Sequence, residues 1–376
     1  MLYKGHFVRV SHNEVSVSHP DAVKKILLAP LPKAPWYKVM QFPDWRWENP
    51  MSVLDPKRKN ELSKNFAPAY TNSNLLKSEA VVDEVIAKLC EWMDKHVESQ
   101  EPMGLDWFFT YTSFDIIGEI AFSKKFGFLA AGEDVGNTIH NIAALNAYGA
   151  IAGFFPRFHY LLANPFVTWT KLMPHGHLYD VTLNTIEKRR ENPDARFDLI
   201  AHWFKVHKEH PERLSMKNIE AHTFQAVGAG SDTVSTALQS LVYHIIRNPE
   251  GNHWQRVRNE IQSAQQEGRC KDQVVSFADA QRLPYLQACI KEAMRVFSPT
   301  PMALARRVPE GGLTIGDKTF APGPLVSVNS WVIHFSTEIW GSDAAEFRPD
   351  RWLGENAAAL EKNFMPVSLH AQSCCE

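Results

Sequence analysis

The stretch PYLQACIKEAMRVFSPTP, Pro284 to Pro301, decides how the rest of the chain is read. It reads as a strong helix closed by Ser298-Pro299, because a residue before proline leaves the helical region. Glu292 and Arg295 stand at i and i+3 and share one face of that helix. At the surface such a pair is worth only a few tenths of a kcal/mol. The neighbours Ala293, Met294, Val296 and Phe297 are apolar, so the pair is also open to burial. A buried pair needs further hydrogen bonds to offset its desolvation. Downstream, EFRPDRW (Glu346 to Trp352) offers Arg351 as a third member, although in isolation it reads equally as a solvated proline loop.

Upstream lies AVGAGSDTVS, Ala226 to Ser235, inside a long and mostly uncharged helix expected from about Ile219 to Ile246. Glycines inside a helix cost about 1 kcal/mol each relative to alanine. The polar pair Asp232-Thr233 adds a desolvation cost. A helix carrying both is expected to open locally, leaving a groove beside a free carbonyl, near an acid and a hydroxyl. The competing reading is a small-residue crossing point for another helix.

Further out, HFVRV and EVSVS read as two strands around a His12-Asn13 turn, and Pro20 starts a helix through DAVKKILL. SEAVVDEVIAKLCEWMDKHV has apolar residues at three- and four-residue spacing. Leu183 to Lys217 reads as a charged amphipathic region and QSAQQEGRCKDQ as a surface loop, while ALARRV, GLTIG and KTFAPG read as short strands. The expected class is mainly α with small β-sheets, an α+β chain with a strand-rich part at each end. Net charge is -2, which gives no sign of a nucleic-acid partner. Five cysteines without a repeated spacing argue against a disulfide scaffold. The opening MLYKGHFVRV lacks the apolar run of a signal peptide or membrane anchor. The uncharged stretch from Thr138 to Phe155 contains His140, Asn141 and Asn146 and makes a poor bilayer span. PFVTW and Phe154-Phe155 read either as bilayer contacts or as core.

Taken in order, the G-x-D-T helix, the E-x-x-R helix, F-x-P-x-R-W and a cysteine near the end resemble the cytochromes P-450, the haem-thiolate monooxygenases. The wording is closest to fungal members of the pisatin demethylase and benzoate hydroxylase type, and the resemblance runs from about Phe7 to Pro366. It implies a single P-450 domain over 1–376, lacking the membrane anchor and the last, haem-proximal helix. It further implies a haem b cofactor and oxidation of a small apolar substrate, in fungal secondary metabolism. Electrons would come from NADPH through a separate reductase. The expected location is the cytosolic face of the endoplasmic reticulum, or the cytosol where no anchor is present, with peripheral membrane contact open.

By the same resemblance Ala229 and Gly230 form the oxygen-binding groove, and Asp232 and Thr233 relay protons to the bound dioxygen. Glu292, Arg295 and Arg351 form a buried charge network, and Arg306 binds a haem propionate. Val234 stands where a second hydroxyl is usual, and Asp350 where Glu is usual. Lys59 and Ser63 replace a further propionate pair, with Lys59 or Lys64 as substitutes. Cys374 falls on the thiolate position. Around it Val367, His370 and Gln372 replace the expected Phe, Gly and Arg, so residues 367–376 read as an aberrant tail. A frameshift or misplaced gene end would account for that tail. The alternative to an active enzyme is then a truncated, haem-free remnant.

Overall fold

The computed structural model of the chain describes residues 5–170, 176–191 and 198–366. Its strands are β1 (Phe7–Arg9), β2 (Glu14–Val17), β3 (Ala303–Arg307), β4 (Leu313–Ile315), β5 (Lys318–Phe320) and β6 (Leu325–Asn329). The helices of ten residues or more begin with α1 (Pro56–Phe66), α2 (Glu79–Ser99), α3 (Leu105–Phe122) and α4 (Thr138–Ala152). They continue with α5 (Gly176–Glu191), α6 (Leu199–Glu209), α7 (Met216–Arg247), α8 (His253–Gln266) and α9 (Pro284–Val296). The mainly α class with small sheets is therefore what the chain adopts. Two compact bodies result. One holds the opening residues to Leu31, Met93–Phe109 and the chain from Thr233; the other holds Pro32–Trp92 and Thr110–Asp232.

In the first body the two strand-rich parts, read as separate, join in one sheet of order β1-β2-β6-β3. Strand β2 runs parallel to β6, with Val15 opposite Val326, and β3 runs antiparallel to it, with Arg306 opposite Val326. Strand β6 was not among the predicted strands. Val326, Ser327 and Val328 are all buried, so it lacks the in–out alternation that marks a half-exposed strand. Strands β4 and β5 form a hairpin whose turn needs Gly316. Its φ is +57°, and a Cβ there would come within 2.7 Å of the His19 ring.

Two local expectations change. DAVKKILL forms a π-helical turn, Val23–Leu27, in which the Leu28 N–H reaches the Val23 carbonyl at 3.2 Å. This register brings Val23, Ile26 and Leu27 into the core over the sheet, beside Val17, Val326 and Met365. The polar run QSAQQ belongs to α8, because Ala264 is buried against Cys270 and Leu283 and anchors its last turn. Gly268, at φ +90°, follows the helix end.

The larger change concerns α7. The expected open turn is absent: the helix runs without a break through Gly228 to Thr233. The Ser231 hydroxyl donates back to the carbonyls of Val227 at 2.8 Å and Gly228 at 3.1 Å. That back-bonding satisfies the buried hydroxyl within the helix itself.

Candidate functional site

Helix α9 buries Tyr285, Ala288, Cys289, Ala293 and, with them, both Glu292 and Arg295. The pair is not at the surface: each side chain is 0% exposed. Two bonds join it, Arg295 Nε to Glu292 Oε2 at 2.9 Å and Arg295 Nη2 to Glu292 Oε1 at 2.8 Å. Arg351 adds its Nε to Glu292 Oε1 at 3.0 Å, the Arg348 backbone N–H reaches the same oxygen at 2.9 Å, and Trp352 Nε1 reaches Oε2 at 2.9 Å. Arg295 spends its remaining N–H groups on the carbonyls of His334, Ala344 and Glu346. All five guanidinium donors are thus used, which is what a dry cation requires. Arg351 ends on the carbonyls of Trp340 and Asp343 and on the Asp343 carboxylate. The three residues grouped on resemblance are one assembly.

That assembly continues to the end of the described chain through a residue sequence reading missed. The buried His334 accepts the Met365 N–H at Nε2, 2.8 Å away. Its proton is therefore on Nδ1, which donates to the Arg295 carbonyl at 3.0 Å. Burial pushes its pKa down to about 3, so the ring is neutral. Phe364 stacks on the imidazole, and the Ser298 hydroxyl donates to the Pro366 carbonyl at 2.8 Å. Phe364 to Pro366 are held on three sides just before the stretch that carries Cys374. Cys374 itself lies outside the described residues, as do Val367, His370 and Gln372.

Arg306, on β3, is nearly buried, and its Nη1 donates to the Ala305 carbonyl at 3.0 Å. On α1, Lys59 is half-buried and Lys64 exposed. Asp350 serves the network's surface: Arg256 of α8 forks onto it with bonds of 2.9 and 2.6 Å. The Arg256 guanidinium also lies over the Tyr285 ring, 3.8 Å from its centre. A cleft of about 650 Å³ in this body is lined by Leu105, Phe109, Thr236, Tyr243 and Phe297, and no predicted site residue faces it.

In the second body the oxygen-groove residues separate into two roles. A Cβ on Gly230 would lie 3.2 Å from Ile117 of α3, so this glycine is a close crossing point. Gly228 has nothing within 4 Å of a Cβ, and Ala229 is exposed between the buried Val227 and Ser231. Open space therefore lies beside the middle of a long apolar helix. Asp232 carries a carboxyl that burial holds above the usual carboxylate range. Asn146 of α4 opposes that shift by donating Nδ2 to Asp232 Oδ2 at 3.1 Å. Nothing in the spacing of the sequence pairs these two. Thr233, the next residue on the helix, is half-buried, Val234 is exposed and Ser235 is buried. The aromatic residues left open between bilayer and core are at the surface: Phe154, Phe155, Phe166 and Trp169 are all at least 60% exposed.

Among the described residues no cluster of His, Cys, Asp and Glu could hold a bare metal ion. What the described residues offer a haem is a fixed approach to Cys374: Phe364 to Pro366 are anchored by His334 and Ser298.

Comparison with known proteins points to one family. The family model for cytochrome P-450 matches residues 6–374. A cytochrome P-450 monooxygenase of Aspergillus flavus is 30% identical over 94% of this chain and 72% of its own length. One from Aspergillus oryzae is 30% identical over 98% of this chain and 75% of its own length. A pisatin demethylase of Fusarium vanettenii is 30% identical over 93% of this chain and 69% of its own length.

Proposed function

The chain belongs to the cytochrome P-450 family, and from that premise we propose that it is a haem-dependent monooxygenase of a small apolar molecule in fungal secondary metabolism. Membership makes it an oxidoreductase whose family works with haem iron and a redox partner. In this reading Cys374 holds the iron and Arg306 a propionate. When bound, the haem supplies the iron at which dioxygen is activated for insertion of one oxygen atom. Glu292, Arg295 and Arg351 fix the backbone that leads to Cys374. Ala229 lies on the side of α7 read as the oxygen-binding groove, Gly230 lets α3 pack closely against that helix, and Asp232 and Thr233 form the acid–alcohol pair that relays protons. The observation that carries this reading is Asp232: in the middle of α7, one turn from the open side of Gly228 and bonded to Asn146, burial raises its proton affinity, as suits a proton donor.

Electrons come from NADPH through a separate reductase on the cytosolic face of the endoplasmic reticulum. No helix among the described residues is long and apolar enough to cross a membrane. Peripheral contact is supported instead by two short helices, Pro156–Leu162 and Pro165–Thr170. Phe158, Leu161, Phe166 and Trp169 on them are 54% to 78% exposed. No acidic residue occurs between Asp134 and Asp180, which suits an anionic lipid surface.

The test is a carbon monoxide difference spectrum of the reduced chain beside Cys374→Ser. A thiolate-type Soret band that the variant loses is the expected result. The altered residues Val367, His370 and Gln372 favour the competing reading, a haem-free remnant, and absence of any haem signal would establish it.

A further inference from the structure

Asn146 is the one amide on an otherwise small-residue face of α4. Ala143, Ala147 and Ala150 share that face at helical spacing, and all three are exposed, as is Asn146. The Asn146 Nδ2 is committed to Asp232 at 3.1 Å. With the nitrogen facing the acid, the amide oxygen points away from it. Asn146 Oδ1 makes no hydrogen bond among the described residues. Beside Asp232 on α7, the open side of Gly228 and the exposed Ala229 leave room next to this amide.

We infer that Asn146 is a positioning and specificity residue: its Nδ2 holds Asp232, and its Oδ1 accepts a hydrogen bond from a hydroxyl or phenol on an otherwise apolar substrate. The inference rests on the reading of the chain as a monooxygenase of a small apolar molecule and narrows that class to molecules with one hydrogen-bond donor. The alanines admit an apolar body, and a single polar atom sets its orientation. Such a substrate is tied through one side chain to Asp232. A substrate without the donor keeps the apolar contact and loses the alignment. The amide serves both partners without changing its own charge.

The experiment measures equilibrium binding of naphthalene and 2-naphthol to the full chain by tryptophan fluorescence, in the wild type, Asn146→Leu and Asn146→Gln. The wild type should prefer 2-naphthol by a ratio roughly tenfold larger than Asn146→Leu does, the weight of one net hydrogen bond. Naphthalene binding should be the same in both. Asn146→Gln, which keeps both arms of the amide, should recover part of the preference, which a variant with merely disturbed packing would not. An unchanged preference in Asn146→Leu would overturn the inference and leave the apolar-substrate reading intact. Failure of the wild type to bind either probe would overturn both.

Discussion

Glu292 and Asp232 are both acids inside long helices, and the protein treats them in opposite ways. Glu292 is sealed from water and met by two arginines, a tryptophan N–H and a backbone N–H. Asp232 is tied to an exposed amide on another helix, and its proton affinity is raised. The first arrangement holds a side chain in place, because five donors converge on its two oxygens. The second leaves a carboxyl whose proton affinity burial raises and a single amide opposes. The contrast separates a group that holds the backbone from one that can exchange a proton, although both are short polar interruptions of apolar helices.

The strongest way to break this contrast is Glu292→Ala. It leaves two guanidiniums buried beside each other without their shared anion, and such losses cost about 3–5 kcal/mol. Urea denaturation should show that loss, and one below about 1 kcal/mol would mean the network is not what holds this body. A sharper version replaces Glu292, Arg295 and Arg351 together with Leu, Met and Met. Buried ion networks sometimes tolerate apolar replacement. Here stability should not return. The carbonyls of His334, Ala344, Glu346 and Trp340 would lose their donors, at about 1–3 kcal/mol for each that stays buried and unpaired.

A smaller effect comes from His334. Its folded pKa is about 3, below the usual value near 6.5, so the unfolded chain binds the proton more readily between those limits. Stability contributed by the neutral ring is complete above about pH 6.5 and is lost as pH falls toward 3, by at most about 1.4 kcal/mol per pH unit. His334→Gln removes the titrating group and should flatten the acid limb of a stability–pH curve. At neutral pH it should cost about 1–3 kcal/mol through the Met365 N–H and the Arg295 carbonyl. An acid limb unchanged in the variant would assign the acid sensitivity elsewhere, first to His222. That ring is buried in the other body, with its pKa also pushed down to about 3.

How much of this was legible follows from the same contrast. The helix of Glu292 and Arg295 was plain in its pattern, but spacing alone left a surface pair in the lead. Only the ordered resemblance to a family assembled Glu292, Arg295 and Arg351. Nothing local marks His334, whose partners are the Arg295 carbonyl and the Met365 N–H, both backbone groups. Strand β6 escaped because a strand buried on both faces has no alternation. The open turn expected in α7 failed because local propensity is overridden by packing: Gly230 is the point where α3 comes close to the helix, at Ile117. Asn146 was visible only as a polar residue in an apolar helix; its meaning depends on a residue 86 positions away.

Asp350 supplies a weaker test at the edge of the network. Its carboxylate is held below the usual range by the Arg256 hydrogen bonds, so its contribution is present above the unfolded pKa and lost as pH falls through the lowered one. Both partners are partly exposed, and Asp350→Ala should cost only about 0.2–1 kcal/mol in denaturant midpoints. A loss as large as that of Glu292→Ala would mean that the charge network extends to the surface and that the boundary drawn around it is too narrow.

The smallest effect on stability, and the most telling for the comparison, is expected from Asn146→Leu. The residue is exposed, so the fold should lose no more than about 0.5 kcal/mol. The carboxyl of Asp232, followed by carbon-13 NMR, should nonetheless titrate at higher pH, because the amide favours the charged form and burial opposes it. The sign extends to stability. A folded pKa raised above the unfolded one favours the native state at low pH and costs it as pH rises through that value. Asn146→Leu should therefore match the wild type in acid and fall slightly behind it in alkali, the reverse of the His334 trend. If the Asp232 titration did not move, the amide would be a bystander, and the two acids would differ only in burial.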